Sequence, residues 1–67
     1  MYSMTKQEAI TAMQEGKKIT NHLFSDNEFI YYKNGKIHDE NNYNIDSEFW
    51  VWRKDSVWHE GWSIYEA

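Results

Sequence analysis

The residues of this chain best suited to chemistry are aromatic rings and the cations that occur near them. Tyr31, Trp50 and Trp52 are candidate stacking residues, because aromatic planes stack on nucleobases with about 1–3 kcal/mol per base. Ammonium and guanidinium groups bind phosphate or carboxylate oxygens. The candidate cations are Lys17, Lys18, Lys33, Lys36 and Arg53, which are solvated charges if no ligand exists.

Metal and nucleophilic chemistry lack the residues they need. The chain has no cysteine, and His22, His38 and His59 are isolated in sequence, without the spacing of a zinc site. Residues 39–50 lack the glycine and the final glutamate of a calcium loop. No serine lies in a Gly-x-Ser-x-Gly turn, and no glycine-rich phosphate loop occurs. We therefore predict a protein that is not an enzyme and uses no metal or cofactor.

The length of 67 residues predicts one domain, residues 1–67, with a small core. A domain of this size buries only about 60% of the surface of its unfolded chain. Chains this short usually need a disulfide, a metal or an oligomer, and the lack of cysteine excludes the first. We expect dense packing of aromatic side chains together with a homo-oligomer, at least a dimer.

The net charge of −4, with Arg53 as the single arginine, disfavours duplex nucleic acid as a partner. No apolar run approaches the length of about 18 residues that predicts a membrane span. The amino-terminal residues lack the apolar core of a signal peptide. The expected location is the cytoplasm.

A helix is predicted over about residues 6–15. Thr5 and Glu8 fit a capping box, in which each side chain satisfies the backbone N–H of the other residue. Apolar side chains then recur at helical spacing, and Gly16 stands where a left-handed cap ends a helix. A helix this short is not stable alone, so it must pack on another element.

An antiparallel sheet is the expected partner of the helix. Asn34-Gly35 between β-rich segments predicts a type I′ hairpin, because both central residues need positive φ. The two-residue loop pairs Lys33 with Lys36, Tyr32 with Ile37, Tyr31 with His38 and Ile30 with Asp39. Alternation then places Ile30, Tyr32 and Ile37 on the helix side, and Phe29, Tyr31 and His38 on the other.

Three further strands are predicted, at residues 17–24, 49–54 and 62–65, with turns or loops between them. One helix on an antiparallel sheet of four to five strands makes an α+β domain. In the 49–54 strand, Trp50 and Trp52 would share one side and, with Tyr31 and Tyr65, form a second aromatic face. A monomer rarely exposes such a face, so another copy or a ligand should cover it.

Both ends of the chain resemble a family of small phage-encoded proteins, the DUF2829 (Thoeris anti-defence) family. The segment "EAITAMQEGKKIT" is similar to its opening helix, which ends in Gly-Lys-Lys-hydrophobic, here Gly16 to Ile19. The ending "GWSIYE" resembles its closing Trp-x-Ile strand, here Trp62 and Ile64. The resemblance implies a homo-oligomeric α+β protein that sequesters a cyclic nucleotide signal of bacterial immunity without cleaving it.

The resemblance also implies a stacking role for Phe24, which stands near a Trp position of the family. The candidate ligand-binding residues are therefore Lys18, Phe24, Tyr31, Trp50, Trp52 and Arg53.

Three hypotheses of function remain open at this point. The first is a phage-type accessory protein that binds a nucleotide-like signalling ligand between subunits. The second is an acidic inhibitor that binds a host defence protein, for example a CRISPR or restriction component, since negative charge steers association with basic partners. The third is a structural interaction module without a small ligand.

Overall fold

The computed structural model describes residues 2–66 and has one helix on a four-stranded antiparallel sheet. The strand order is β3-β2-β1-β4. The elements are α1 (Lys6–Gln14), β1 (Ile19–Asn21), β2 (Ile30–Lys33), β3 (Lys36–Asp39), a 3-10 turn (Ser56–His59) and β4 (Trp62–Ile64). The predicted α+β class is confirmed. In the described part of the chain, no helix has the length and apolarity needed to cross a membrane.

Helix α1 begins and ends where its capping residues predict. The Thr5 hydroxyl accepts the Glu8 N–H at 3.1 Å, and the Glu8 carboxylate accepts the Thr5 N–H at 2.8 Å. Gly16 has a φ of +92°, as expected for a left-handed cap. Ala9 and Met13 lie on the buried side of the helix, which faces the sheet.

The hairpin has the predicted register, with Lys33 opposite Lys36 and Ile30 opposite Asp39. Its turn residues Asn34 and Gly35 have φ values of 56° and 78°, as a type I′ turn requires. Alternation of side chains therefore holds: Ile30 and Ile37 are buried under the helix, and Tyr31 and His38 lie on the opposite side.

Both edges of the sheet are hydrogen-bonded by the chain's own segments. At β3, the Ile45 N–H donates to the Ile37 carbonyl at 2.9 Å, and the Ile37 N–H donates to the Asp46 carboxylate at 3.1 Å. At β4, Met4 and Trp62 exchange backbone hydrogen bonds at 2.9 and 3.1 Å. Occupied edges disfavour pairing with another strand, so we expect any self-association to use a face of the molecule.

The predicted strand at 49–54 is wrong, because residues 46–52 form consecutive turns. The Phe49 N–H donates to the Ile45 carbonyl at 3.0 Å, the spacing of a helical turn. Strands β3 and β4 lie at opposite edges of the sheet, so the chain between them has to cross the sheet, and it does so on the helix side. There it contributes Phe49 to the core, while Trp52 stays 74% exposed.

This correction also changes the predicted second aromatic face. Trp50 packs on the helix side against Trp62, with ring centroids 5.7 Å apart, and Lys6 Nζ lies 4.4 Å from the centre of a Trp50 ring. Tyr31 remains on the opposite side of the sheet. Trp50 and Trp52 therefore do not share a face with Tyr31. The first strand is also shorter than predicted, at Ile19–Asn21.

Trp62 occupies the centre of the core and is fully buried. The ring centroids of Phe24 and Trp58 lie 5.7 and 6.0 Å from its own. Its indole Nε1 donates to the Trp58 carbonyl at 2.8 Å, so its polar atom is also satisfied. Trp62 therefore faces the core, whereas Ile64 at the same edge is 39% exposed.

Tyr32 makes the stability of the fold sensitive to alkaline pH. Burial raises the pKa of the Tyr32 hydroxyl, and the Asp46 carboxylate raises it further. The folded chain therefore holds this proton more tightly than the unfolded chain. The resulting stabilisation is fully present below a pH of about 10 and is lost as the pH rises above it.

We expect the free energy of unfolding to fall as the pH rises from about 9 to about 11, and to fall less in Tyr32→Phe. Urea denaturation followed by tryptophan fluorescence at each pH measures both slopes. The two proteins differ only at residue 32, so the difference between their slopes reports Tyr32. Equal slopes would contradict the assignment.

Candidate functional site

The six predicted ligand-binding residues fall into three places. Lys18 and Tyr31 belong to the side of the sheet opposite α1, which we name the outer face. Phe24, Trp52 and Arg53 line a cleft on the other side of the sheet, which we name the Arg53 cleft. Trp50 packs against the core beneath Lys6. The structure therefore offers two surfaces instead of one combined site.

The outer face carries a continuous row of four rings, in the order His38, Tyr31, Phe29 and Tyr65. Neighbouring ring centroids lie 5.9, 6.1 and 4.5 Å apart along the row. Tyr31 and His38 are paired across the hairpin, and Phe29 is two residues before Tyr31, so alternation aligns them. Cross-strand ring pairs stabilise a sheet. All four rings are only partly buried, so they also present surface to a ligand.

Three exposed lysines surround this row of rings. Lys18 Nζ lies 4.8 Å from the centre of the Phe29 ring, and Lys33 is paired with Lys36 at the hairpin end of the face. Lys33 Nζ donates to the Asn42 side-chain oxygen at 3.3 Å, and the Tyr31 hydroxyl donates to the same oxygen at 2.6 Å. Tyr31, Lys33 and Asn42 are thereby held together at one end of the row.

The charge of the outer face is positive around the hairpin, although the whole chain is acidic. The strand residues that share this face by register carry no carboxylate; they are Thr20, Tyr31, Lys33, Lys36, His38 and Ser63. Asp26 and Glu66 lie beside Ser63, near β4. An anionic ligand is therefore favoured beside the lysines of the face and disfavoured beside Asp26 and Glu66.

The Arg53 cleft has a volume of about 290 Å³ and apolar walls that include Phe24, Ile45 and Trp52. Residues from two loops and from β2 and β3 meet there, because the crossing chain covers the helix side of the sheet. Four carboxylates also line it, those of Glu28, Asp39, Glu40 and Glu48.

Arg53 is held in place by aromatic rings and by one backbone carbonyl. Its guanidinium carbon lies 4.1 Å from the Phe49 ring centre and 5.1 Å from a Trp58 ring centre, and its terminal nitrogen donates to the Phe49 carbonyl at 3.1 Å. Burial lowers the pKa of Arg53, and the Glu28 carboxylate acts in the opposite direction. One guanidinium faces four carboxylates here, so the charge of the cleft disfavours a phosphate ligand.

No family model, no curated protein and no solved structure matches this chain. The resemblance to the DUF2829 family therefore rests on the two end motifs alone. No similarity to a characterised protein therefore assigns a function to the outer face or to the Arg53 cleft. The choice between the two surfaces depends on their geometry and charge.

Metal binding has no support among residues 2–66, where no three His, Cys, Asp or Glu side chains are placed to hold an ion. His38, the histidine of the outer face, has its Nδ1 3.0 Å from the Lys36 carbonyl, which orients the ring within the row. The arrangement of the outer face suits stacking and charge neutralisation.

Phe29, Tyr65 and Asn42 were absent from the predicted ligand-binding set, although they surround Tyr31 and Lys18. Hairpin alternation was enough to place Phe29 beside Tyr31, so that signal was available in the sequence. Asn42 lies eleven residues after Tyr31, in a loop whose path no local pattern indicates.

Proposed function

We propose that this chain is a binding protein that takes a nucleotide-like ligand on its outer face without cleaving it. One observation carries the proposal: a row of rings flanked by lysines, on a face whose strand positions hold no carboxylate. The same combination of stacking rings and cations is how proteins bind unpaired bases.

The proposed ligand stacks its base on the Phe29 and Tyr31 rings. Its phosphate groups then lie near Lys18 at one end of the rings or near Lys33 at the other. Phe29 and Lys33 are about 13 Å apart along the strand at about 3.3 Å per residue. This span accommodates a ligand with more than one phosphate, such as a cyclic dinucleotide.

Binding without cleavage is proposed because the outer face is the surface of a sheet. Catalytic sites are concave and exclude water. A second copy that covered the outer face would bury the ligand between two subunits, the mode that the family resemblance implies. In this proposal the biological role is that of a phage-type accessory protein, which sequesters a signalling nucleotide of the host's immunity.

Thermal and chemical unfolding of the full chain with cyclic AMP, cyclic GMP, cyclic di-AMP and cyclic di-GMP tests the proposal. A ligand present at a hundred times its dissociation constant should raise the free energy of unfolding by about 2.7 kcal/mol. We expect at least one nucleotide to do so, and Lys18→Gln to weaken its binding about fivefold or more, since a charged hydrogen bond to phosphate is lost.

Lys54→Gln is the matched control, because Lys54 is exposed and is not one of the lysines beside the row of rings. It removes the same charge and should change the affinity by less than about twofold. Failure of every nucleotide to stabilise the chain would refute the proposal. Equal losses in the two variants would show that only the net charge matters.

A further inference from the structure

The Arg53 cleft combines three features that the proposed nucleotide site does not use. Apolar side chains form part of its walls, its carboxylates outnumber its single cation, and the Trp52 indole that lines it belongs to a residue that is 74% exposed. Exposed carboxylates are ordinary on a protein surface. A largely exposed indole next to a 52% exposed Val51 is unusual for a small monomer and indicates a contact surface.

We propose that the Arg53 cleft docks a short basic segment of a partner protein. Lysine or arginine side chains of the segment would pair with Glu28 and Glu48, and an apolar or cationic side chain would lie on the Trp52 indole. Trp is enriched among the residues that dominate interface energy. The proposal is independent of nucleotide binding, because it concerns the opposite side of the sheet.

A bound metal ion fits this cleft less well than a peptide. The Asp39 carboxylate already accepts the N–H groups of Asn41 and Tyr43 at 2.9 and 3.0 Å. No three ligating side chains converge among the described residues. Because the carboxylates are spread along the cleft, they suit the several cationic side chains of a basic peptide better than a single metal ion.

A second copy of this protein is also a poorer occupant than a basic partner. Each copy has a net charge of −4 and presents the same acidic cleft. Bringing two such surfaces together adds repulsion between like charges, whereas a basic segment removes it.

Titration of the full chain with an octapeptide of alternating lysine and alanine tests the proposal. Proton–nitrogen correlation NMR spectra report the indole N–H of each tryptophan, and Trp52→Phe assigns the Trp52 signal. We expect this signal to shift with the peptide and the affinity to fall with added salt, because exposed charge pairs are screened. A peptide with glutamate in place of lysine should not bind.

Charge variants separate specific docking from general attraction. Glu28→Gln with Glu48→Gln should weaken peptide binding about tenfold or more, since two facing charges are lost. In that variant the amide oxygen that replaces the Glu28 carboxylate can still accept the Ser25 N–H, which limits structural damage. Glu15→Gln with Glu66→Gln removes the same charge from exposed positions outside the cleft and should change affinity less than about twofold.

Three results would overturn the proposal. The first is that both double variants weaken peptide binding equally. The second is that the Trp52 indole signal does not shift when the lysine peptide is added. The third is a lower sedimentation mass for Trp52→Ser than for the unmodified chain, which would assign the cleft to a second copy. Lys18→Gln should leave peptide binding unchanged, because Lys18 is on the opposite side of the sheet. Refuting the peptide proposal therefore leaves the nucleotide proposal open, and refuting the nucleotide proposal leaves the peptide proposal open.

Discussion

Trp62→Ala is expected to lower the free energy of unfolding by about 3–5 kcal/mol, close to the whole stability of a domain this small. The indole is fully buried and contacts Phe24, Phe49, Trp50 and Trp58. Its removal leaves a cavity that α1 and the crossing chain cannot fill without losing their own contacts. It also leaves the Trp58 carbonyl without the indole donor. Urea denaturation followed by far-ultraviolet circular dichroism measures the loss.

Trp52→Ala is the matched control for this prediction. It removes the same side chain from a position that is 74% exposed, so its effect should stay within about 0.5 kcal/mol. Trp62→Phe provides a milder core variant that keeps most of the apolar volume but loses the hydrogen bond to the Trp58 carbonyl. Similar destabilisation by Trp62→Ala and Trp52→Ala would contradict the described core.

Gly61→Ala is expected to have the second largest effect, a loss of about 1–2 kcal/mol from backbone strain with an added cost for displacing the His22 ring. Gly61 has a φ of +84°, and a Cβ built there would overlap the Cδ2 atom of the His22 ring. The backbone cannot easily move away, because the His22 N–H donates to the Gly61 carbonyl at 2.9 Å just before β4. The substitution therefore combines backbone strain with displacement of the exposed His22 ring.

Two further variants separate these contributions. Gly35 has a φ of +78° with open space around its Cα, so Gly35→Ala should lose only the backbone part, about 1–2 kcal/mol. Adding His22→Ala to Gly61→Ala removes the ring that the new Cβ meets. The loss of unfolding free energy should then fall to that of Gly35→Ala. A double-mutant cycle with unfolding free energies measures this coupling. If the cycle shows no coupling, the described contact between residues 22 and 61 is incorrect.

The parts of the fold that could be predicted are the helix start and the hairpin, because interactions between residues close in sequence determine them. The capping box at Thr5 and the Asn34-Gly35 turn each involve residues within a few positions of one another. Their hydrogen bonds and φ values follow from residue type, so the helix start and the hairpin register were predicted correctly.

The 49–54 segment shows why the other half was not predictable from the sequence. Its alternating apolar residues suit a strand, but the sheet order leaves this part of the chain to cross from one edge to the other. Packing against Trp62 then favours helical turns, which turn Phe49 and Trp50 to the core. Tertiary context overrides local β propensity at such positions.

The predicted ligand-binding set combined residues of two surfaces. Tyr31 lies on the predicted side of the hairpin, and Phe29 and Lys18 lie beside it. Trp52 was added because the wrong strand put it on the same face as Tyr31, and Arg53 because a guanidinium can bind phosphate. The observed path of residues 46–52 separates a basic row of rings from an acidic cleft.

Proton–nitrogen correlation NMR of the full chain, titrated with each of the four cyclic nucleotides, tests the outer-face proposal most directly. We predict that one nucleotide shifts the backbone signals of Lys18, Phe29 and Tyr31 while the Trp52 indole signal stays in place. Shifts centred on Trp52 and Arg53, or unchanged spectra with all four nucleotides, would contradict it.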